Sequence, residues 1–259
     1  MPLLSPVPEP SMPLLKSTLL TAALLLASLL PGQAQDMTDA ERLAFRAEVR
    51  AYLLENPEVL TEAIAILEDR QAADAAAQDI KRLTENHAAI FQDAASWVGG
   101  NPDGDITIVE FMDYRCGFCR KAFEEVEELI RSDGNIRFVI KEFPILGESS
   151  DLSSRFAIAT LQLAGPDAYK TAHDALITLR GEATKPVLER LAGDLGLDAP
   201  AIMARMAAPE VTSVIQANHA LAQTLDISGT PTFVLPGSML RGYVPLEDMR
   251  QIVKDARKG

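Results

Sequence analysis

The chain of 259 residues holds two cysteines, and both fall in Cys116-Gly117-Phe118-Cys119. The residues before them, Ile106-Thr107-Ile108-Val109-Glu110-Phe111-Met112, form a β-branched and apolar run interrupted by one acid. The residues after them place Phe118, Phe123, Val126, Leu129 and Ile130 at helical spacing. A strand therefore enters the pair and a helix leaves it, which sets Cys116 at a helix N-terminus. Unpaired N–H groups and the positive end of the helix dipole stabilise a thiolate there. The thiol pKa, near 8.5 in a free cysteine, is expected to fall, each unit corresponding to about 1.4 kcal/mol in favour of the anion. Cys119, one turn further in, is placed to attack a mixed disulfide formed at Cys116.

Other uses of the pair fit less well. As a staple it closes a loop so short that the chain-entropy model gives only roughly 2 kcal/mol. Zinc needs two further ligands, and the three histidines, His87, His173 and His219, are scattered. Haem attachment needs a histidine after the second cysteine, where this chain has Arg120. Redox chemistry is the reading that remains, with neither a metal nor a cofactor expected.

The elements around the pair are legible from period and punctuation. Arg137-Phe138-Val139-Ile140-Lys141 reads as a second strand after the turn Ser132-Asp133-Gly134-Asn135, giving a βαβ unit with parallel strands. Residues 150–227 read as helical, with His173 and His219 expected on their surface. Thr232 to Leu235 and Met239 to Tyr243 read as short strands around Pro236-Gly237, and Pro245 to Lys258 as a closing helix. Residues 36–97 read as helix throughout: Thr38 with Glu41 makes a capping box, and Asn56-Pro57 restarts the chain. Gln71 to Gln78 is Ala-rich and suits a solvated rod. Trp97 is expected to pack where this arm meets the cysteine-bearing domain, and Gly99-Gly100-Asn101-Pro102-Asp103-Gly104 ends the arm. The cluster Glu124-Glu125-Glu127-Glu128 reads as a solvated helix face.

Leu19 to Leu30 is an apolar run shorter than the roughly 20 residues of a membrane span. Pro31-Gly32-Gln33-Ala34 comes after it with small residues where a signal peptidase cuts, so residues 1–34 are expected to be a signal peptide. Met12-Pro13-Leu14-Leu15 repeats Met1-Pro2-Leu3-Leu4, which suggests a start at Met12. Export places the chain where disulfides persist, with no stable membrane insertion after the signal is removed. A formal charge of −13, with 24 Lys+Arg against 37 Asp+Glu and no basic stripe, argues against nucleic-acid binding.

Thr230-Pro231, in Ser228-Gly229-Thr230-Pro231-Thr232-Phe233, taken alone is a turn entering a strand. Beside a C-x-x-C βαβ unit it resembles the thioredoxin fold, in which a cis-proline loop faces the cysteines and offers its backbone to substrate. The large helical insertion resembles the DsbA family of periplasmic thiol–disulfide oxidoreductases. The helical arm behind a signal peptide is similar to the branch of suppressor-of-copper-sensitivity protein C (ScsC) and Com1-like proteins. The resemblance implies an α/β thioredoxin fold with a helical insertion at about 148–227, preceded by an all-helical arm. The expected domains are 1–34, 35–98 as an oligomerisation arm, and 99–259 as the catalytic domain.

The resemblance also implies roles. Cys116 and Cys119 would be the redox-active disulfide, Thr230 and Pro231 would bind substrate, and Glu110, six residues before Cys116, would sit where DsbA carries a buried acid. Glu110 would then move the proton of Cys119; the plainer alternative is an edge-strand carboxylate facing water. Lys141 either pairs with it or is solvated. Where DsbA has Pro-His between the cysteines, Gly117-Phe118 offers no charge; with Thr before the proline, this looks more like isomerases of the DsbC type. The implied partners are exported client proteins, a membrane thiol reductase and further copies of the chain, a trimer by resemblance. The alternatives are a net dithiol oxidase and a copper-tolerance protein holding Cu(I) between the thiolates.

Overall fold

The computed structural model describes residues 37–258. The signal peptide expected at 1–34 and the start expected at Met12 lie outside the described residues. The chain divides into two compact units, Met1–Ile66 and Leu67–Gly259.

In the first unit, α1 (Asp39–Glu55) opens on the capping box, with Thr38 N donating to Glu41 Oε2 over 2.8 Å. Asn56 ends it, its backbone and side-chain nitrogens both donating to Tyr52 O. The chain resumes in α2 (Glu58–Glu85), which carries it into the second unit. No described residue of the first unit is buried, and Leu43, Phe45, Tyr52, Leu60 and Ile64 are exposed. Gln71 to Gln78 is helical and exposed along its whole length.

The second unit is built on five strands: β1 (Trp97–Gly100), β2 (Ile106–Met112), β3 (Ile136–Glu142), β4 (Thr232–Leu235) and β5 (Ser238–Arg241), in the order β1-β3-β2-β4-β5. Helix α3 (His87–Phe91) precedes β1. β2 and β3 are parallel, joined across the sheet by α4 (Gly117–Asp133); the other pairings are antiparallel. Between β3 and β4 lie α5 (Glu148–Ala164), α6 (Pro166–Ile177), α7 (Lys185–Asp194), α8 (Ala199–Arg205) and α9 (Pro209–Thr224), and α10 (Leu246–Ala256) closes the unit. This is the α/β arrangement with a helical insertion that the resemblance implies. No described helix is long and apolar enough to cross a membrane.

The pleat sorts the strand residues between two cores. Ile106, Ile108 and Met112 of β2, with Phe138 and Ile140 of β3, join Val126, Leu129, Phe156 and Tyr169 of the helices on one face. Val109, Phe111 and Val139 face the other way, against Leu83, Ile90, Phe91 and Leu221. The stretch from Asp79 on, read by pattern with the arm, thus packs within the second unit. Asp79 of α2 is held there by a two-pronged pair with Arg241 of β5, at 2.6 and 2.9 Å.

Three expectations change. Trp97–Gly100, read as the end of a helix and a turn, is an edge strand paired with β3. Gly100 makes it possible: its φ is +67°, and a Cβ there would lie 2.3 Å from Ile136 O. Trp97 packs under the insertion rather than at the arm, its Nε1 donating to Pro166 O over 3.0 Å and its ring stacked on Tyr169. His173 is buried rather than on the surface, while His219 is half-buried beside Phe143.

Candidate active site

Strand β2 delivers the chain through Asp113-Tyr114-Arg115 to Cys116, which is the N-cap of α4. The buried Asp113 holds this turn. Its carboxylate accepts from Arg115 N (2.7 Å), Ile145 N (2.7 Å), Leu146 N (3.1 Å) and Ser150 Oγ (2.8 Å), so the charge is satisfied while the segment after β3 is tied to the turn. Cys116 N donates to Asp113 O over 3.1 Å.

Both cysteines are free thiols. Cys116 retains 7% of its surface and Cys119 only 2%, whereas Phe118 between them is exposed. Cys116 is pulled down to about 5, first by the Cys119 thiol donating to its sulfur, then by hydrogen bonding at Thr230 and the N–H groups of Cys119 and Phe118, all against burial. Its neutral Sγ–H lies 3.1 Å from Thr230 O. Cys119 is pushed up well above its ordinary value by that same donation, by burial and by the charge of Glu110. One sulfur is thus an anion near neutral pH and the other keeps its proton. The Thr230–Pro231 peptide is cis. Its loop is pinned by Gly242 N donating to Pro231 O and Thr232 Oγ1 donating to Gly229 O, both over 2.8 Å.

Glu110 lies in a central strand, so the edge-strand alternative does not hold. It shares the pleat face of Ile108 and Met112, towards α4, and lines a small cavity with Cys119. Burial first, then the charges of Cys116, Glu142 and Glu127, push its carboxyl up to about 8. Lys141 neither pairs with Glu110 nor is solvated. Register places Lys141 opposite Phe111, one residue out of step with Glu110 and hence on the other face. There its buried ammonium donates to Ala89 O and to Asp93.

Sequence reasoning missed a buried cluster behind Cys116. Glu142, at the end of β3, accepts from Tyr169 OH (2.6 Å), Tyr114 OH (2.9 Å) and Ser154 Oγ (2.7 Å). Burial lifts it to about 7 against those hydrogen bonds. Tyr114 OH also meets His173 Nδ1 at 3.0 Å, and burial pushes His173 down to about 3. The available signal was an acid ending an apolar strand, the same anomaly as Glu110. The Glu cluster on α4 is only partly a solvated face: Glu125 accepts from Tyr243 OH and Leu246 N, seating α10. Among the described residues no group of three or more His, Cys, Asp and Glu could hold a metal.

An ionised thiol backed by a protonated one, at the head of a helix and facing a cis-proline loop, can exchange disulfides by thiolate attack and internal resolution. On this fold, that site defines the class of thiol–disulfide oxidoreductases. The chain belongs to the DsbA family within that class: residues 107–254 match the DSBA-like thioredoxin domain. Residues 41–74 match the copper resistance protein ScsC N-terminal domain. A thioredoxin-like oxidoreductase from Silicibacter pomeroyi is 41% identical with a TM-score of 0.64, covering 67% of this chain and 99% of its own. Salmonella enterica BcfH is 27% identical with a TM-score of 0.71, covering 92% and 100%. Proteus mirabilis ScsC, in a transitional conformation, is 27% identical with a TM-score of 0.63, covering 86% and 97%. The chain spans about a quarter of the length of the first curated relatives it matches, which are named Na(+)/H(+) antiporters.

Proposed function

We propose that the protein is a periplasmic disulfide isomerase and reductase of exported proteins. The observation that carries the chemistry is the Cys116 sulfur at the start of α4, ionised near neutral pH and close to Thr230 O. Cys116 attacks a client disulfide, and a client strand lies along the backbone of Thr230 and Pro231. The mixed disulfide then resolves through a second client thiol, which is isomerisation, or through Cys119 with Glu110 taking its proton. A membrane thiol reductase returns Cys116 to the thiolate.

Two features favour isomerase over net oxidase. Gly117-Phe118 adds no charge beside the thiolate, and a pKa of about 5 lies above the roughly 3.5 of the strongly oxidising DsbA. The exposed apolar residues of α1 and α2 favour an arm that assembles copies of the chain, a trimer on the ScsC resemblance, so that several thiolates face one client. Trapping the cysteines by alkylation in cells tests the direction of flow. A largely reduced pool fits isomerase, and a largely oxidised pool overturns it in favour of oxidase. The ScsC N-terminal match favours a second reading, Cu(I) held between Cys116 and Cys119. Copper titration of the wild type against Cys116→Ser tests it, and equal binding by both proteins removes it.

A further inference from the structure

Both residues that flank the cysteine pair are arginines, Arg115-Cys116-Gly117-Phe118-Cys119-Arg120, in a chain whose formal charge is −13. Arg120 stands four residues after Cys116, with its N–H donating to Cys116 O over 3.1 Å, so the two share a face of α4. A helical side chain leans back towards the helix N-terminus, and that of Arg120 reaches Tyr114 O, two residues before Cys116, with Nε donating over 2.8 Å. Arg115 holds the loop between α6 and α7, its Nη1 donating to Gly181 O over 2.6 Å and its Nη2 meeting Glu182 Oε1 at 3.4 Å.

Much of this donor capacity is unspent. Arg120 is half-buried, and its Nη2 is shielded from water with no hydrogen-bond partner among the described residues. Such a donor is costly to leave without an acceptor. Its guanidinium also lies close enough to Arg115 to feel that residue's charge, an arrangement that like charges oppose unless an anion joins them. The anions at hand are already served. The four donors to the Asp113 carboxylate are Arg115 N, Ile145 N, Leu146 N and Ser150 Oγ, and the Cys116 anion is held by Cys119, Thr230 and Phe118. Glu182 is 69% exposed and shows what Arg115 accepts: a carboxylate arriving from solvent.

We propose that Arg115 and Arg120 recognise a carboxylate beside the client disulfide, so that the clients taken first carry Asp or Glu next to the reacting cysteine. This names the substrate class of the function proposed above and rests on Cys116 being its nucleophile. A planar guanidinium suits a carboxylate because its N–H donors match the two oxygens. In the step itself the Cys116 thiolate attacks the client sulfur. The Cys116–client S–S bond forms, the client S–S bond breaks, and the departing sulfur leaves as a thiolate with the electron pair. Cys116 is oxidised, the departing sulfur is reduced, and no proton moves. The arginines touch neither sulfur and set only which client is held.

The test uses the full-length reduced protein and three blocked dipeptides, acetyl-Glu-Cys-amide, acetyl-Gln-Cys-amide and acetyl-Lys-Cys-amide, each activated on sulfur as the 2-thiopyridyl disulfide. Release of thiopyridone, followed by absorbance, gives the second-order rate of attack by Cys116. The wild type is expected to rank Glu above Gln above Lys, against the sign of the whole chain. The Glu-to-Gln rate ratio should fall about fivefold in Arg120→Gln and in Arg115→Gln, a loss in line with one partly exposed ion pair. Arg120→Lys should keep most of the ratio, and salt near 1 M, where the screening length is about 3 Å, should erode it. A wild-type ranking of Lys above Gln above Glu overturns the proposal, as does an unchanged ratio in both glutamine variants. Equal slowing of all three peptides in those variants marks a role in shaping the turn and also overturns it. If Arg120→Gln does not fold, Arg115→Gln and Arg120→Lys carry the same test. Equal wild-type rates on the three peptides remove the recognition and leave the thiol exchange standing. No release from any peptide brings down both.

Discussion

At the residue scale, the two sulfurs divide their labour by hydrogen bonding and depth. With Cys116 at about 5, its alkylation by iodoacetamide should reach half its maximal rate near pH 5. Cys119, buried and protonated, should remain unlabelled until Cys116 is consumed. Peptide mapping of the alkylated protein checks this, and equal labelling of the two thiols contradicts it. Glu110 gives a second expectation, in stability. Its carboxyl rises from 4.5 to about 8 on folding, so the folded reduced protein keeps a proton that the unfolded chain releases between those values. The stability this confers is complete below the lower value and is lost as pH climbs through the upper one. Glu110→Gln cannot ionise, so its advantage over wild type in urea unfolding should be small near pH 5 and larger near pH 8. A constant difference across that range would contradict the buried-acid reading.

At the element scale, the site depends on a strand that sequence patterning did not reveal. β1 covers the open edge of β3 and brings Trp97 under the insertion, where it meets Tyr169 of the Glu142 cluster. Gly100 permits that pairing by adopting a left-handed conformation with Ile136 O against it. Gly100→Ala should therefore destabilise the second unit by about 2 kcal/mol or more, from αL strain and the backbone clash together. A midpoint shift in urea measures it. Gly134→Ala, at the C-cap of α4, also has positive φ (72°) but no neighbour within reach of a Cβ, and should cost less. Equal losses would show that the close approach at Gly100 does not matter.

At the scale of the whole molecule, α1 and the first part of α2 carry apolar side chains with no described residue of their own unit buried against them. Exposed apolar area of that kind is ordinarily covered by a partner. If other copies of the chain are that partner, light scattering on the mature protein should give an oligomer. A chain beginning at Leu67 should be a monomer that retains dithiol exchange but loses most of its rate in reshuffling a scrambled substrate. A monomeric full-length protein would remove the assembly, and undiminished isomerisation by the shortened chain would remove its link to activity.

The C-x-x-C pair, the strand before it, the helix after it and the proline loop were all legible in the amino-acid sequence, because each rests on local period, capping or turn chemistry. The same holds for the capping box at Thr38 and the break at Asn56-Pro57. Tertiary structure decided what depends on register and on contacts between distant segments. Whether Glu110 faces water or α4 is set by β2 lying between β3 and β4, which no local pattern encodes. One residue of pleat separates Glu110 from the face where Lys141 meets Asp93, and that parity exists only once β2 and β3 are aligned. His173 and Glu142 look like ordinary polar residues of a helix and a strand end. They become a buried cluster because α5 and α6 fold back over Tyr114, bringing together donors and acceptors that could not otherwise be left without water.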